Sequence, residues 1–226
     1  MAARQSHSAT CHFCGNTYTN QGMYQHLPAC DARQAAIEAA NAQDAPRTTI
    51  FHLVAKGSWY HWLHLEVSAE ATLGDLDQFF RDIWVECCGH MSEFTIDEVH
   101  YTTFEDAWWL PEDRGMDVSL GEVLHPKLEF SYQYDFGTTT YIDLRVASAR
   151  EGVMLGDGKI ILMARNQPLD YRCEICGEPA TVICTFCDYT LLCDACVETH
   201  DCGDEGLLPV VNSPRMGMCG YVGDAW

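Results

Sequence analysis

The chain is predicted to be an α+β protein, a mostly antiparallel sheet with one main helix, flanked by a small metal-bound module at either end. Three observations predict this. Two windows, Trp59–Val67 and 128–136, alternate in hydrophobicity with the period of a strand. One segment places Leu73, Leu76, Phe79, Phe80, Ile83 and Trp84 at helical spacing. Clusters of Cys and His with metal-ligand spacing stand at residues 11–30 and 173–202.

Residues 1–33 form the first module. Residues 34–47 belong to an Ala-rich, helix-favouring stretch with no broad apolar stripe, closed by Ala45-Pro46, and read as a helical linker. The central domain spans 48–168. Thr49–Ala55 and Trp59–Val67 are its first strands, with Lys56-Gly57-Ser58 as a tight turn between them. Thr72-x-x-Asp75 is a capping-box start for the main helix, which ends near Gly89. Residues 94–96 and 99–104 are short strands, and 105–118 is an acidic loop containing Trp108 and Trp109. Ser119-x-x-Glu122 caps a short helix through Leu124. The strand 128–136 puts Leu128, Phe130, Tyr132, Tyr134 and Phe136 on one face, and Tyr141–Ala147 returns from a turn at Gly137. Lys159–Ala164 is the last strand before a zinc module at 169–206. A tail, 207–226, is too apolar to be free: Val210, Val211, Met216, Met218, Tyr221 and Trp226 are expected to pack.

At 226 residues, 47% hydrophobic, the chain can bury one sizeable core and small satellites. No stretch approaches the ~20 apolar residues of a membrane span, and no apolar signal region opens the sequence. The expectation is a cytoplasmic protein with no membrane partner. There, 13 Cys argue for metal over disulfides. Cys87 and Cys88 stand apart from both clusters and are read as buried small hydrophobes, with a redox switch as the rival.

The net charge is −20, divided as about zero over 1–47, −13 over 48–170 and −7 over 171–226. Three Lys against ten Arg, among many acids, suit a high-salt, halophilic cytoplasm. Acidity of this size opposes phosphate binding, although in a halophile it serves solvation.

The C-terminal cluster packs Cys173-x2-Cys176, Cys184-x2-Cys187, Cys193-x2-Cys196, His200 and Cys202 into thirty residues. The N-terminal one is Cys11-x2-Cys14-x11-His26-x3-Cys30, with Pro28 awkwardly between the last two ligands. Thiolate and imidazole donors in fours favour zinc, and such closed sites leave no position open for catalysis. Three zinc ions are expected, one N-terminal and two C-terminal.

Several motifs resemble known families. Thr72-Leu73-Gly74-Asp75-Leu76, Trp84, His90-Met91-x-Glu93-Phe94-x-Ile96 and Phe130-x-Tyr132-x-Tyr134-Asp135-Phe136-Gly137 resemble the Ri-plasmid open-reading-frame-three-like family over roughly residues 48–166. Members usually follow the last box with an acidic residue and a Trp; Thr138, Thr139 and Thr140 stand here instead. The resemblance implies a compact α+β domain, often near mobile elements and fused to zinc modules, with no established activity. The C-terminal cluster resembles the B-box and other cross-brace zinc domains. That resemblance implies one site of Cys173, Cys176, Cys193 and Cys196, and a second of Cys184, Cys187, His200 and Cys202, where Asp201 or Cys219 are alternatives to Cys202.

Other chemistry-bearing residues have plainer readings. Asp135, before a Gly turn, is expected to hold backbone amides rather than act as a general base. His52, His61, His64, His90, His100 and His125 are scattered and read as core or surface residues. Trp108-Trp109 is either an exposed anchor or buried beneath its loop.

The expected function is a non-enzymatic zinc-binding adaptor that docks a protein or a ribonucleoprotein such as the ribosome. Nucleic acid is a possible partner through the near-neutral finger, which carries Arg4, His7, His12, Tyr18, Tyr24 and Arg33. The alternatives are a DNA- or RNA-binding factor linked to mobile elements, or an uncharacterised hydrolase or recombinase. No small-molecule substrate is evident.

Overall fold

A computed structural model of the chain describes residues 7–57, 60–103 and 114–223. The structure is α+β. Strands β1 (Ser8–Thr10) and β2 (Thr17–Thr19) form a hairpin, followed by helices α1 (Asn20–Ala29) and α2 (Asp31–Asn41). The central sheet contains β3 (Thr48–Gly57), β4 (His61–Ser68), β5 (Ser92–Ile96), β6 (Val99–Thr102), β7 (Arg114–Gly115), β8 (Glu129–Tyr134), β9 (Thr140–Gly152) and β10 (Ile160–Arg165). Its order is β10-β4-β3-β9-β8-β5-β6-β7, and every pairing is antiparallel except β6 with β7. Helices α3 (Leu73–Phe80) and α4 (Leu120–Val123) connect its strands. A second small sheet, β12 (Thr190–Leu192), β11 (Val182–Cys184) and β13 (Leu207–Pro209), closes the C-terminal module with helix α5 (Asp194–Val197).

One face of the central sheet makes the main core. Phe51, Leu53, Leu63, Leu65, Val67, Phe94, Tyr132, Ile142, Leu144 and Val146 pack on Leu73, Leu76, Phe80, Ile83 and Trp84. Both predicted capping boxes form. Thr72 accepts from the Asp75 amide at 3.0 Å and Asp75 accepts from the Thr72 amide at 2.9 Å. The Ser119 amide donates to Glu122 at 3.1 Å.

The main helix does not continue as α to Gly89. It loosens into a π turn over Arg81–Val85. Arg81 explains the change: its guanidinium reaches Asp77, Glu86, Ser92 and the His90 carbonyl at 2.6–2.9 Å, and these lie on both sides of the turn. Asp77 also accepts from Ser92 at 2.6 Å and Tyr132 at 2.8 Å, so its buried charge is fully bonded.

The second face is also covered, which the alternation did not foretell. All eight positions of β4 are buried. The N-terminal module lies on this face: Cys11, Met23, Leu27 and Cys30 form one cluster with Trp62, Met163 and Ala164. The polar residues this cover traps are paired. Glu66, fully buried, meets Arg33 of α2 at 2.5 Å and Arg150 of β9 at 3.0 Å. His52 bonds His64 at 2.8 Å, and His64 bonds Asn20 at 3.1 Å.

Some predicted details shift. Lys56 and Gly57 continue β3 rather than starting a turn. Phe136 is 47% exposed rather than sharing the core face, because Asp135 takes a positive φ of 65° and turns the chain away. Pro28 lies inside α1, near its C-terminal end. Nearby carbonyls find partners in α2: Leu27 accepts from Arg33 at 3.2 Å and Pro28 from Gln34 at 2.8 Å. Arg4, Trp59, Trp108, Trp109 and Trp226 lie outside the described residues.

Beyond β13 the chain crosses back to the central sheet. Asn212 and Asn166 exchange bonds at 2.8 Å, and Ser213 donates to the Trp84 carbonyl at 2.6 Å. Pro214 sits so close to Gly57 that a Cβ there would lie 2.6 Å from its Cγ, so only glycine fits. Arg215, fully buried, donates to Asp135 at 2.7 Å and to the Thr138 carbonyl and Thr140 hydroxyl at 3.0 and 3.1 Å.

Candidate metal centres

The fold brings the twelve predicted ligands together in three groups: Cys11, Cys14, His26 and Cys30; Cys173, Cys176, Cys193 and Cys196; Cys184, Cys187, His200 and Cys202. Within each group the candidate donor atoms all lie within 4.8 Å of one another. Cys202, rather than Cys219, stands with the last set.

Local structure explains the convergence. In the first group the turn after β1 supplies Cys11 and Cys14. The Gly15 amide closes the turn on the Cys11 carbonyl at 2.9 Å, with φ +74° at Gly15. His26 and Cys30 stand four residues apart on and just after α1, hence on one face. Cys14 Sγ and His26 Nε2 are 3.3 Å apart. The Cys173–Cys176 turn repeats the device, with Gly177 N to Cys173 O at 2.9 Å and φ +79° at Gly177. Cys193 precedes α5 and Cys196 lies on it. Cys176 and Cys193 sulfurs are 3.5 Å apart, and Cys187 Sγ lies 3.4 Å from His200 Nε2.

Tetrahedral zinc, with Zn–S near 2.3 Å and Zn–N near 2.0–2.1 Å, requires donor separations of about 3.8 Å between sulfurs and about 3.6 Å between sulfur and nitrogen. The measured edges lie a few tenths of an ångström inside these values. The donor chemistry of each set therefore fits a thiophilic divalent ion. The thiol pKa values follow from the crowding. Burial opposes ionisation of Cys173, but the amides of Cys176 and Cys193 outweigh it and bring it down to about 6. Burial likewise opposes ionisation of Cys184, and the hydrogen bond with His200 brings it to about 6. Their neighbours go the other way: Cys196 is pushed up to about 12 by the sulfurs of Cys176 and Cys173, and Cys202 to about 11 by burial and the sulfurs of Cys184 and Cys187. Several thiolates in one cage repel each other, and a bound cation is what relieves that repulsion.

A fourth group was not anticipated. Cys87, Cys88 and His90 follow the π turn and meet Cys219 of the tail, their donor atoms again within 4.8 Å. Cys87 is half-buried and Cys88 exposed, so neither is the buried hydrophobe the sequence suggested. The cause is that the helix ends before them, and both lie in the loop leading to β5.

The other predicted candidates are not members of these groups, although Asp135 borders the fourth. Asp135 accepts from the Gly137 amide at 3.0 Å and pairs with Arg215. Despite opposing burial, these bonds hold its carboxyl below the usual range. His100 pairs with Glu93 at 2.9 Å. His125 bonds the Pro126 carbonyl at 3.3 Å. An open cleft of about 590 Å³ lies where α1 meets the outer face of β3, β8 and β9, lined by Asn20, Tyr24, Lys56, Glu129, Asp143 and Arg145 among others. Lys56 stands opposite Asp143 across the ladder, and Arg145 lies 3.8 Å from Glu129 and 5.8 Å above the Tyr24 ring.

No protein-family model matches the chain, and no curated protein matches it. Among solved structures, a protein of unknown function from Methanosarcina mazei Go1 is similar at a TM-score of 0.44 and 17% identity, over 58% of this chain and 75% of that one. No helix among the described residues is long and apolar enough to cross a membrane.

Proposed function

We propose that the chain is a non-enzymatic zinc adaptor whose C-terminal cross-brace docks a protein partner in the cytoplasm. The observation that carries this reading is the completeness of the donor sets. Each of the three groups legible in the sequence offers four protein donors, so a tetrahedral ion would have no open position for substrate or water. Zinc in such a cage supplies folding stability, not chemistry. Cys11, Cys14, His26 and Cys30 would hold one ion, and the two C-terminal sets one each.

The C-terminal module also has the surface of a docking element. Ile175 and Phe186, each inside a Cys-x2-Cys turn, are 64% and 63% exposed, and Tyr189 is 52% exposed. They stand on a segment carrying −7 over 171–226. Apolar anchors held rigidly on an acidic module suit a partner with an apolar pocket and a basic rim. A protein within a ribonucleoprotein such as the ribosome meets that description as well as a free one. The nucleic-acid reading is weaker, because Arg33 spends its charge on buried Glu66. The likeness to the Ri-plasmid open-reading-frame-three-like family supports a scaffold role, since Asp135 of its most specific box anchors Arg215 of the tail.

The test is affinity capture from the native host at native salt, with and without nuclease, comparing wild type with an Ile175→Asp, Phe186→Asp double variant. A nuclease-resistant protein partner should be recovered and should fall about tenfold or more with the variant, the usual cost of losing apolar anchors. A partner lost on nuclease treatment, or retained by the variant, refutes the reading.

A further inference from the structure

We propose that Cys87, Cys88, His90 and Cys219 form a fourth zinc site, one that clasps the C-terminal tail onto the central domain. The other three sites each close within one local segment. This one joins residues 131 positions apart, Cys88 and Cys219.

Geometry makes the first argument. The sulfurs of Cys87 and Cys88 are 3.7 Å apart and those of Cys88 and Cys219 3.8 Å, close to the about 3.8 Å edge of a tetrahedral zinc–thiolate cage. His90 Nε2 lies 3.0 Å from Cys88 Sγ and 3.2 Å from Cys219 Sγ. The second of these is close to the 3.3 Å and 3.4 Å sulfur–nitrogen edges of the groups containing His26 and His200, and the first is shorter. Three thiolates and one imidazole are a recognised structural zinc set.

The backbone makes the second. Cys-Gly occurs five times in the chain, at Cys14-Gly15, Cys88-Gly89, Cys176-Gly177, Cys202-Gly203 and Cys219-Gly220. In all five the glycine has positive φ, between +69° and +79°. Three of the five belong to the groups legible in the sequence, and the remaining two are the two halves of this one. Cys219 itself has φ +47°, a conformation an L-residue other than Asn or Asp rarely adopts, and such strain gathers at ligand clamps.

The surroundings make the third. Three thiolates leave a net negative charge on a divalent ion. Buried Arg215, four residues before Cys219, directs Nη2 at Cys87 Sγ, 3.4 Å away, while also holding Asp135. Asp135 lies 3.5 Å from His90 Nε2, the nitrogen that would face the ion, so it borders the site and does not hold the ring from behind. Tyr134 accepts from the His90 amide at 3.2 Å and lies 4.0 Å from Cys87 Sγ. The Arg215 bond to the Cys87 sulfur and the Tyr134 bond to the His90 amide are what outer-shell support of a metal looks like.

The test is zinc content per chain by plasma mass spectrometry on full-length protein, purified with reductant and desalted. Wild type should carry one ion for each of the four groups. Cys219→Ser and, separately, Cys88→Ser should each lose one ion and keep the rest. In both, hydrogen exchange of the tail amides around 214–221 should rise at least tenfold while that of β3 and β4 stays unchanged. Both variants are needed because Cys88 is exposed and tolerates substitution even if Cys219→Ser misfolds. Wild type with three ions, or variants with the wild-type zinc content, overturns the proposal. So does a Cys88–Cys219 disulfide in zinc-replete protein, which would make the pair a redox device. Failure here leaves the other three sites, and the docking reading, untouched.

Discussion

His52 and His64 show how a single buried residue can set the acid sensitivity of the fold. His64 donates from Nε2 to Asn20 Oδ1, so its Nδ1 accepts from His52, and both rings are neutral. Burial is the main cause that lowers the His64 pKa from 6.5 to about 3 and places His52 well below its ordinary value. The sign follows. Between about 6.5 and about 3 the unfolded chain binds a proton at His64 that the folded chain refuses, so stability falls as pH falls through that window. Each such group contributes a slope of up to about 1.4 kcal/mol per pH unit. His64→Gln should lower stability at pH 7, because its ring bonds are lost. Urea denaturation between pH 6 and 5 should nevertheless show the variant's slope reduced by about 1.4 kcal/mol per pH unit. Protonation of the cysteine–histidine groups affects both proteins and cancels in the comparison. Equal slopes would mean that His64 is already charged in the fold.

At the scale of elements, the seam between the N-terminal module and the sheet is the least expected feature. The alternation in β4 correctly placed Leu63, Leu65 and Val67 on the core face. It could not show that Trp62, His64 and Glu66 are buried as well, because periodicity reports that two faces differ, not whether the second is covered. The cover comes from residues thirty or more positions away. The missed signal was chemical: a Trp, a His and a Glu in alternate positions of one strand, Trp62, His64 and Glu66, make an unusual solvent face. The π turn was equally hidden, since Arg81 forces it through partners spread over three segments. The fourth cluster was hidden for a different reason. Cys219 and Cys88 are remote in sequence, and only the shared Cys-Gly step hinted at their kinship. Spacing rules find candidate ligands that are local, which is why the other twelve were legible. Trp62 also supplies a test of the seam. Its side chain, 3% exposed, packs among Met23, Leu27 and Met163. Trp62→Ala should cost about 3–5 kcal/mol, typical of a large aromatic removed from a core. Limited proteolysis should then release residues 1–45 first. Release no faster than in wild type would mean the module is held by other contacts.

At the scale of the whole molecule, the three parts differ in what holds them. The central sheet owns a large apolar core that contains no candidate ligand from the groups legible in the sequence. The N-terminal module shares its core with the sheet through Trp62, Met163 and Ala164. In the C-terminal module's buried cluster, three of four residues are themselves cysteines, Cys173, Cys184 and Cys193, with Leu192 beside them and Val182, Val197 and Leu207 partly buried against them. Such a module has a small apolar cluster to fold on, and the candidate ligands make up most of its fully buried part. Structural zinc typically contributes about 10–16 kcal/mol of apparent binding energy, far more than so small an apolar cluster could replace. Zinc removal should therefore dismantle the parts in order. Chelator at neutral pH, with reductant present, should first open residues 173–206 to protease, then loosen residues 11–30. The central sheet should keep its cooperative thermal transition and its strand signal in far-ultraviolet circular dichroism. Partner capture should disappear at the first step, because Ile175 and Phe186 depend on the zinc turns for their presentation. Re-addition of zinc should restore both protease resistance and capture. Protection of 173–206 that survives complete chelation would mean that the module folds on contacts other than metal, and the adaptor reading would lose its physical basis.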